Sequence, residues 1–376
     1  MSVENEMDPA GTPKTPIFSP RMWVGCDLFA WLRLLWFGRY RFGWKQFRIL
    51  PIGTVLTTIH TFLRYAQEGL YGDQIRRTQI VEPPIFILGH WRSGTTLLHE
   101  LLVQDPRHAF PNTCQCFDPC HSLLTERLIR RYFNWLLPPR RIMDNMPVGW
   151  ERPQEDEFAL ALMGQPSPYW SIAFPWRGPM DKRAMDLDGL PARTRTAWKR
   201  AFLHFLQTVT LRAQRRLVLK SPPHTCRIPT LLEMFPDARF VHIVRDPFAV
   251  YSSTLNLWKR LYGAQALHTP SYEGLEESVF AMFRHFHERL DATRHLVAPE
   301  RFFELRYEEL TKDPVAELRR LYVQLDLGSF ENLRPNLERY LAENERYEKN
   351  RFELSETERT EVLRQWGDVI RKYGYP

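Results

Sequence analysis

The sequence predicts an α/β fold: a P-loop-like, three-layer domain with a central parallel sheet flanked by helices, plus a helical insert and an N-terminal helical arm. Three observations predict it. Ile85-Phe86-Ile87-Leu88 runs into the turn Gly89-His90-Trp91-Arg92-Ser93-Gly94, after which Thr95-Thr96 opens a pattern with Leu97, Leu98, Leu101 and Leu102 at helical spacing. That is strand, glycine-bounded turn and helix. Short apolar runs recur at Leu217–Leu219, Phe240–Val244 and Phe302–Leu305, separated by helical patterns. Strands alternating with helices build a parallel sheet covered on both faces. Finally, 376 residues with 44% hydrophobic content can bury a large core, and one sizeable domain with an insert accounts for them.

Taken in order, residues 1–20 are acidic and proline-containing and read as a disordered tail without the hydrophobic run of a secretory leader. Residues 21–80 read as the helical arm. Its segment 21–64 interleaves basic and aromatic residues, and its longest uncharged run, Ile49–Leu63, contains Pro51 and His60. That is too short and too broken to span a membrane. The segment either packs on the domain with its basic residues facing water or lies on a membrane surface. The domain proper covers residues 81–376. Helical patterns fall at Thr96–Val103, Pro229–Phe235, Val250–Leu261 and Glu276–Leu296, and Leu354–Tyr373 reads as a final charged helix. Residues 120–212 form a mostly helical insert, interrupted by the Pro- and Trp-rich stretch Gln165–Pro179. Inserts of that size between core strands shape substrate pockets or lids.

The net charge of +7 suits an anionic ligand, nucleic acid or a membrane surface, and does not choose among them. The five cysteines, Cys26, Cys114, Cys116, Cys120 and Cys226, are odd in number and follow no leader. Buried thiols in a reducing, cytoplasmic interior are therefore expected rather than a disulfide framework. The run Cys114-x-Cys116-x3-Cys120-His121 matches no common zinc spacing, so no metal is expected.

The glycine-bounded turn aims successive backbone N–H groups and a helix N-terminus at one spot, which attracts a phosphate or similar oxyanion. A nucleoside-triphosphate P-loop places Lys directly after the second glycine. Here Thr95 holds that place and a cation, Arg92, sits inside the turn. Three other strand ends carry chemistry. Leu217-Val218-Leu219 delivers Lys220, Ser221 and nearby His224. Phe240–Val244 delivers Arg245, with Ser253 eight residues on. Phe302–Leu305 precedes Arg306 and the run Tyr307-Glu308-Glu309-Leu310. Singly, each also reads as a surface ion pair or a solvent-facing strand end. Together they converge on the sheet edge where open α/β sheets bind ligands.

In this order, the RSGTT turn, Lys-Ser-Pro, Arg-x7-Ser and Tyr-Glu-x-Leu resemble the sulfotransferases that use 3′-phosphoadenosine 5′-phosphosulfate (PAPS), over roughly residues 84–325. The chain looks like a bacterial-type or tyrosylprotein-sulfotransferase-like member. The resemblance implies in-line sulfuryl transfer to a hydroxyl, or less readily an amine. It implies that Arg92, Ser93, Gly94, Thr95 and Thr96 bind the 5′-phosphosulfate, with Arg92 beside the leaving oxygen. Arg245 and Ser253 would grip the 3′-phosphate, Tyr307 would lie near the adenine, and Lys220 would contact the sulfuryl group. The base does not transfer cleanly. Phe110–Gln115, where related protein-tyrosine enzymes carry a catalytic Glu, holds no carboxylate, and Pro222 stands where cytosolic members place a His. Glu155 or His224 is expected instead. Glu155 belongs to an acidic run with Glu151, Asp156 and Glu157, residues that equally suit charge complementation at a helix N-terminus. If Glu155 is the base, Asp156 and Glu157 are expected to be solvent-facing or ion-paired.

Two alternatives stand beside this reading. One is a nucleotide kinase or other nucleoside-triphosphate enzyme. The other is a membrane-surface or nucleic-acid binding protein built on residues 21–64; no nucleic-acid partner is expected of the enzyme. The acceptor is left open among small molecule, glycan, lipid and peptide, because Tyr169, Trp170, Phe174 and Trp176 in the insert suit a sugar face, an aromatic or a lipid equally.

Overall fold

Five strands, β1 (Ile85–Leu88), β2 (His108–Ala109), β3 (Arg216–Lys220), β4 (Arg239–Val244) and β5 (Phe302–Arg306), make one parallel sheet in the order β2-β3-β1-β4-β5. The computed structural model describes residues 21–40, 47, 49–137, 148–177, 180–270, 272–344 and 354–376. The tail expected over residues 1–20 lies outside them. Four of the strands coincide with the apolar runs of the sequence. The fifth, β2, is two residues long and carries no periodic signal.

Side chains alternate across a strand, so consecutive residues serve opposite faces. Phe86, Leu88, Leu217, Leu219 and Phe240 join one core, whereas Ile85, Ile87, Val218, Val241 and Ile243 join another. Both faces are therefore apolar and both are covered, as the continuous hydrophobic runs required. Phe86 is registered with Leu219 on one side and Phe240 on the other. β1 is the central strand, with β2 and β3 to one side and β4 and β5 to the other. The strand order switches beside β1, and ligands of open α/β sheets bind outside such a switch point.

The helices, in chain order, are α1 (Leu28–Phe37), α2 (Ile49–Arg77), α3 (Thr95–Leu102), α4 (Thr113–Phe117), α5 (Ser122–Tyr132), α6 (Asp156–Leu162), α7 (Trp170–Ala173), α8 (Lys182–Asp186) and α9 (Ala192–Arg212). After β3 come α10 (Ile228–Met234), α11 (Pro247–Gln265), α12 (Leu275–Thr293), α13 (Tyr307–Lys312), α14 (Pro314–Gln324), α15 (Arg334–Glu343) and α16 (Glu356–Tyr373). The expected insert over 120–212 is helices α5 to α9, and Gln165–Pro179 contributes α7 to it.

The arm is α1 and α2. Asp27 caps α1 by accepting from Ala30 N–H at 2.7 Å and pairs with Arg64 of α2 at 2.7 Å. Pro51 falls in the first turn of α2, where its missing N–H leaves no bond unmade. Trp31, Leu34 and Leu35 of α1 bury in the same core as β1 and β3. The other sides of the two helices are unusual. α1 exposes Phe29, Leu32 and Trp36. α2 buries Gly53, Thr57 and Thr61 while exposing Ile52, Val55, Ile59 and Phe62. Among the described residues, no helix is long and apolar enough to cross a membrane.

Candidate active site

The turn after β1 is held in a backbone conformation that only its own residues permit. Gly89 sits at φ 146°, Arg92 at φ 69° and Gly94, which precedes α3, at φ 103°. A Cβ on Gly89 would lie 2.8 Å from the Ile243 carbonyl oxygen, and one on Gly94 would lie 2.3 Å from the Tyr307 ring. Both places need glycine. The turn is fastened as well as bent. Gly89 N–H donates to Thr225 Oγ1 at 2.8 Å, and Ser93 Oγ donates to the His90 carbonyl at 2.7 Å. The first-turn N–H groups of α3 thus face the space beyond the C-terminal end of β1. Burial pushes the neighbouring His90 imidazole down to about 4, so it is neutral at physiological pH.

One wall of this space gathers four expected residues from three elements. Arg92 Nε donates to Ser253 Oγ at 2.7 Å. Arg245 Nη1 donates to the Arg92 carbonyl at 3.1 Å, and its guanidinium lies 4.3 Å from the Tyr307 ring centroid. Arg245 directly follows β4. Asp246 caps α11 by accepting from Phe248 N–H at 3.0 Å, which starts the helix that carries Ser253. Tyr307 opens α13 directly after β5. Two guanidiniums, a hydroxyl and an aromatic face beside a helix N-terminus make a place for a nucleotide bearing more than one phosphate.

The other wall opens on a cleft. Its polar side is Arg92, Thr95, Thr96, Glu155 and Tyr169; its apolar side includes Phe158, Ile172, Leu257, Trp258 and Leu261. Lys220 ends β3 nearly buried, with 2% of its side chain exposed, and a cation so placed requires a partner. Its Nζ meets Glu155 Oε1 at 2.7 Å and Thr96 Oγ1 at 3.4 Å. The second oxygen of Glu155 accepts from the Tyr169 hydroxyl, which itself accepts from Trp91 Nε1 at 3.1 Å. Burial, then the charge of Glu155, pushes the Tyr169 phenol well above its ordinary value, so it stays a donor.

Glu155 is free to face the cleft because another residue does its local work. It occupies the position preceding α6 yet makes no side-chain capping bond. Ser221 Oγ accepts from Glu157 N–H at 2.9 Å and donates to Asp156, so the helix start is capped from the segment after β3. The three consecutive acids then meet, in order, partners from the end of β3 and the segment that follows it. Glu155 takes Lys220. Asp156 takes Ser221 and His224, the last at 2.7 Å. Glu157 takes Arg227 and accepts from Ser167 at 2.6 Å. Asp156 and Glu157 are fully buried and ion-paired. Burial alone would raise Asp156, but His224, Ser221 and Arg227 together hold it below the usual carboxylate range.

His224 requires a correction. The sequence put it close to the sulfuryl site, four residues past Lys220. Its side chain is fully buried, its Nε2 faces Asp156, and its ring packs on Phe86 and Phe202 with centroids 5.3 and 5.7 Å away. It does not line the cleft. The turn Pro222–Cys226 directs it into the core. Sequence reasoning also missed two contributors. Ser221 gives no pattern that distinguishes a cap supplied from another element. Tyr169 was one of several aromatics in the insert, and nothing in its spacing singles it out as the partner of Glu155.

A sequence model of the sulfotransferase family matches residues 83–332, well over half of the chain. The chain belongs to the sulfotransferase family. It is 44% identical over 354 residues, 94% of this chain and 91% of the relative, to omega-hydroxy-beta-dihydromenaquinone-9 sulfotransferase Stf3 of Mycobacterium bovis, and equally to Stf3 of Mycobacterium tuberculosis. Its fold resembles sulfotransferase STF9 of Mycobacterium avium, with a TM-score of 0.64 at 21% identity, covering 85% of this chain and 82% of that one. It also resembles STF1 of Mycobacterium tuberculosis, with a TM-score of 0.58 at 17% identity and 86% of each chain covered. The protein is thus a sulfotransferase, an enzyme moving a sulfuryl group from PAPS to an acceptor, and the nucleotide-kinase alternative falls away.

Proposed function

We propose that this sulfotransferase acts on the terminal hydroxyl of a long apolar lipid, with Glu155 as the base. The observation that carries this reading is the placement of Glu155: a carboxylate lining a cleft that Phe158, Ile172, Leu257, Trp258 and Leu261 also line. A hydroxyl at the end of an apolar body meets a carboxylate there among apolar side chains. The Stf3 relatives are named for a hydroxylated dihydromenaquinone, an acceptor with the same division into apolar body and polar end.

On this reading the donor's phosphosulfate lies on the Arg92–Thr96 turn, and Arg245 and Ser253 hold its 3′-phosphate beside Tyr307. As the acceptor oxygen attacks sulfur in line, Glu155 takes its proton and Lys220 and Arg92 stabilise the charge that develops on the sulfuryl and leaving oxygens. The 2.7 Å Lys220–Glu155 contact describes the resting pair. An arriving sulfuryl group competes with Glu155 for Lys220, which frees the carboxylate to meet the acceptor hydroxyl once the donor is seated.

The arm supplies the second half of the proposal. Ile52, Val55, Ile59 and Phe62 form one exposed stripe along α2, spaced three and four residues apart, next to Phe29, Leu32 and Trp36 of α1. Buried small and polar residues on the inner side of α2 make this stripe an outward-facing apolar surface rather than a core. Arg33 and Arg39 lie exposed nearby, so the arm suits an anionic lipid surface from which the acceptor is drawn. The test measures turnover with PAPS on a long-chain primary alcohol held in anionic vesicles and on a short soluble alcohol. The vesicle substrate is expected to be strongly preferred, and the double change Ile59→Glu/Phe62→Glu to remove that preference while leaving the soluble reaction intact. Preference for a sugar or peptide acceptor overturns the reading.

A further inference from the structure

The metal-like run of the sequence, Cys114-x-Cys116-x3-Cys120-His121, is not assembled in space. Its thiols are buried or half-buried and free, and burial raises Cys114 and Cys120, the latter to about 12. His121 turns instead toward His60 of α2 and Asp118, which precedes α5. His121 Nε2 lies 3.7 Å from Asp118 Oδ1, and His60 Nδ1 lies 3.8 Å from the same oxygen. The two rings meet edge-on with centroids 4.6 Å apart. The three ligand atoms all lie within 4.8 Å of one another.

Hydrogen bonding on the far side of the His121 ring fixes what it turns to the centre. Thr125 Oγ1 donates to the His121 carbonyl at 3.1 Å, so toward His121 Nδ1, 3.0 Å away, it accepts. Nδ1 therefore carries the proton and Nε2 presents a bare lone pair. His60 Nδ1 and His121 Nε2 are both buried without a hydrogen-bond partner among the described residues. Two imidazole nitrogens and a carboxylate oxygen thus converge at distances too long for hydrogen bonds. Burial raises the Asp118 carboxyl to about 7, so the three facing groups are reconciled either by a proton on Asp118 or by a cation between them.

We propose that His60, Asp118 and His121 bind one divalent transition-metal ion of the zinc class. Ligand bonds of ~2.0–2.2 Å set two donors ~3.4–3.6 Å apart at tetrahedral to trigonal angles, so the two edges to Asp118, 3.7 and 3.8 Å, close by a few tenths of an ångström, and the edge between the imidazoles, within 4.8 Å, closes by turning the rings. His121, with its Nδ1 tied to the Thr125 hydroxyl, has the outer support such a ligand needs. The fourth position falls to water. His60 belongs to the arm, while Asp118 adjoins Phe117, whose ring packs 5.4 Å from that of Phe158 on the cleft wall. The ion clamps the membrane-facing arm to the floor of the acceptor cleft. This site is independent of the assignment of the acceptor or the base.

The test uses the untagged full-length protein, stripped with a chelator and titrated with zinc or cobalt(II). One ion per chain is expected, with a zinc-dependent rise in the melting midpoint. The cobalt form should show ligand-field bands of a low-coordinate N/O site and no thiolate charge-transfer band. His60→Gln and Asp118→Asn should each weaken binding more than about a hundredfold, beyond the cost of an outer-shell change, whereas Cys114→Ser should leave it unchanged. No stoichiometric ion, a thiolate band, or undiminished binding in His60→Gln and Asp118→Asn each overturns the proposal. If a variant does not fold, the cobalt spectrum of the unsubstituted protein decides alone.

Discussion

Two neighbouring carboxylates of α6 and its approach, Glu155 and Asp156, engage the same short segment after β3 through bonds of equal length, 2.7 Å to Lys220 and 2.7 Å to His224. Their surroundings differ completely. Glu155 is extended at φ −75°, ψ 122° and Asp156 opens the helix; Glu155 lines the cleft and Asp156 is buried in the core. Residue chemistry alone would nominate either pair for proton transfer. Access decides: a base must reach the acceptor hydroxyl, and a His–Asp pair sealed among Phe86 and Phe202 cannot. The sealed pair instead ties the segment after β3 to the start of α6, and the open pair is the one proposed to do the chemistry.

The comparison breaks most directly by neutralising each acid. Glu155→Gln should lower turnover by about a hundredfold or more while the 3′,5′-bisphosphate product still binds. His224→Asn should keep turnover per folded molecule close to normal and lower the denaturation midpoint, because a buried charge is left without its partner. Steady-state kinetics on protein counted by bisphosphate binding separates the two. If His224→Asn loses turnover as Glu155→Gln does, the division between open and sealed pairs is wrong.

A smaller effect concerns the other wall. Arg245 and Ser253 are proposed to distinguish the 3′-phosphate, through charge-assisted bonds of ~1.5–3 kcal/mol each. Calorimetry should show adenosine 3′,5′-bisphosphate binding far better than AMP, and Arg245→Ala should erase about ten- to a hundredfold of that preference. Equal affinity of the unsubstituted protein for the two nucleotides would refute the assignment.

The two walls were not equally legible in the sequence. The donor wall is built from strand ends and the residues just after them, so an apolar run followed by Arg245 or Tyr307 already implied its location at the sheet edge. Gly89 and Gly94 announced themselves because the turn forces positive φ there. The acceptor side depends on contacts between the insert and β3, 65 residues apart for Lys220 and Glu155, and no periodicity encodes them. The same limit hid the Ser221 cap and sent His224 to the wrong place. The arm left two readings open in the sequence, packing on the domain or lying on a membrane surface, and the burial of Gly53, Thr57 and Thr61 beside exposed Ile52, Val55, Ile59 and Phe62 is what shows which side chains of α2 point outward.

The smallest expected effect sharpens the comparison by pH. Asp156 is held below the usual carboxylate range, against its burial, by His224, Ser221 and Arg227. Its folded-state pKa therefore lies below the unfolded value near 3.8, and the folded state holds it ionised more firmly than the unfolded chain does. That contribution to stability is fully present above the unfolded pKa and disappears as pH falls through the folded one. Urea midpoints of the unsubstituted protein and Asp156→Asn should thus lie furthest apart near neutrality and approach each other as the pH drops below about 3.8. A gap between Asp156→Asn and the unsubstituted protein that stays constant into the acid range would mean that His224 and Ser221 do not hold the carboxylate ionised. The sealed pair would then be a packing feature rather than an electrostatic one.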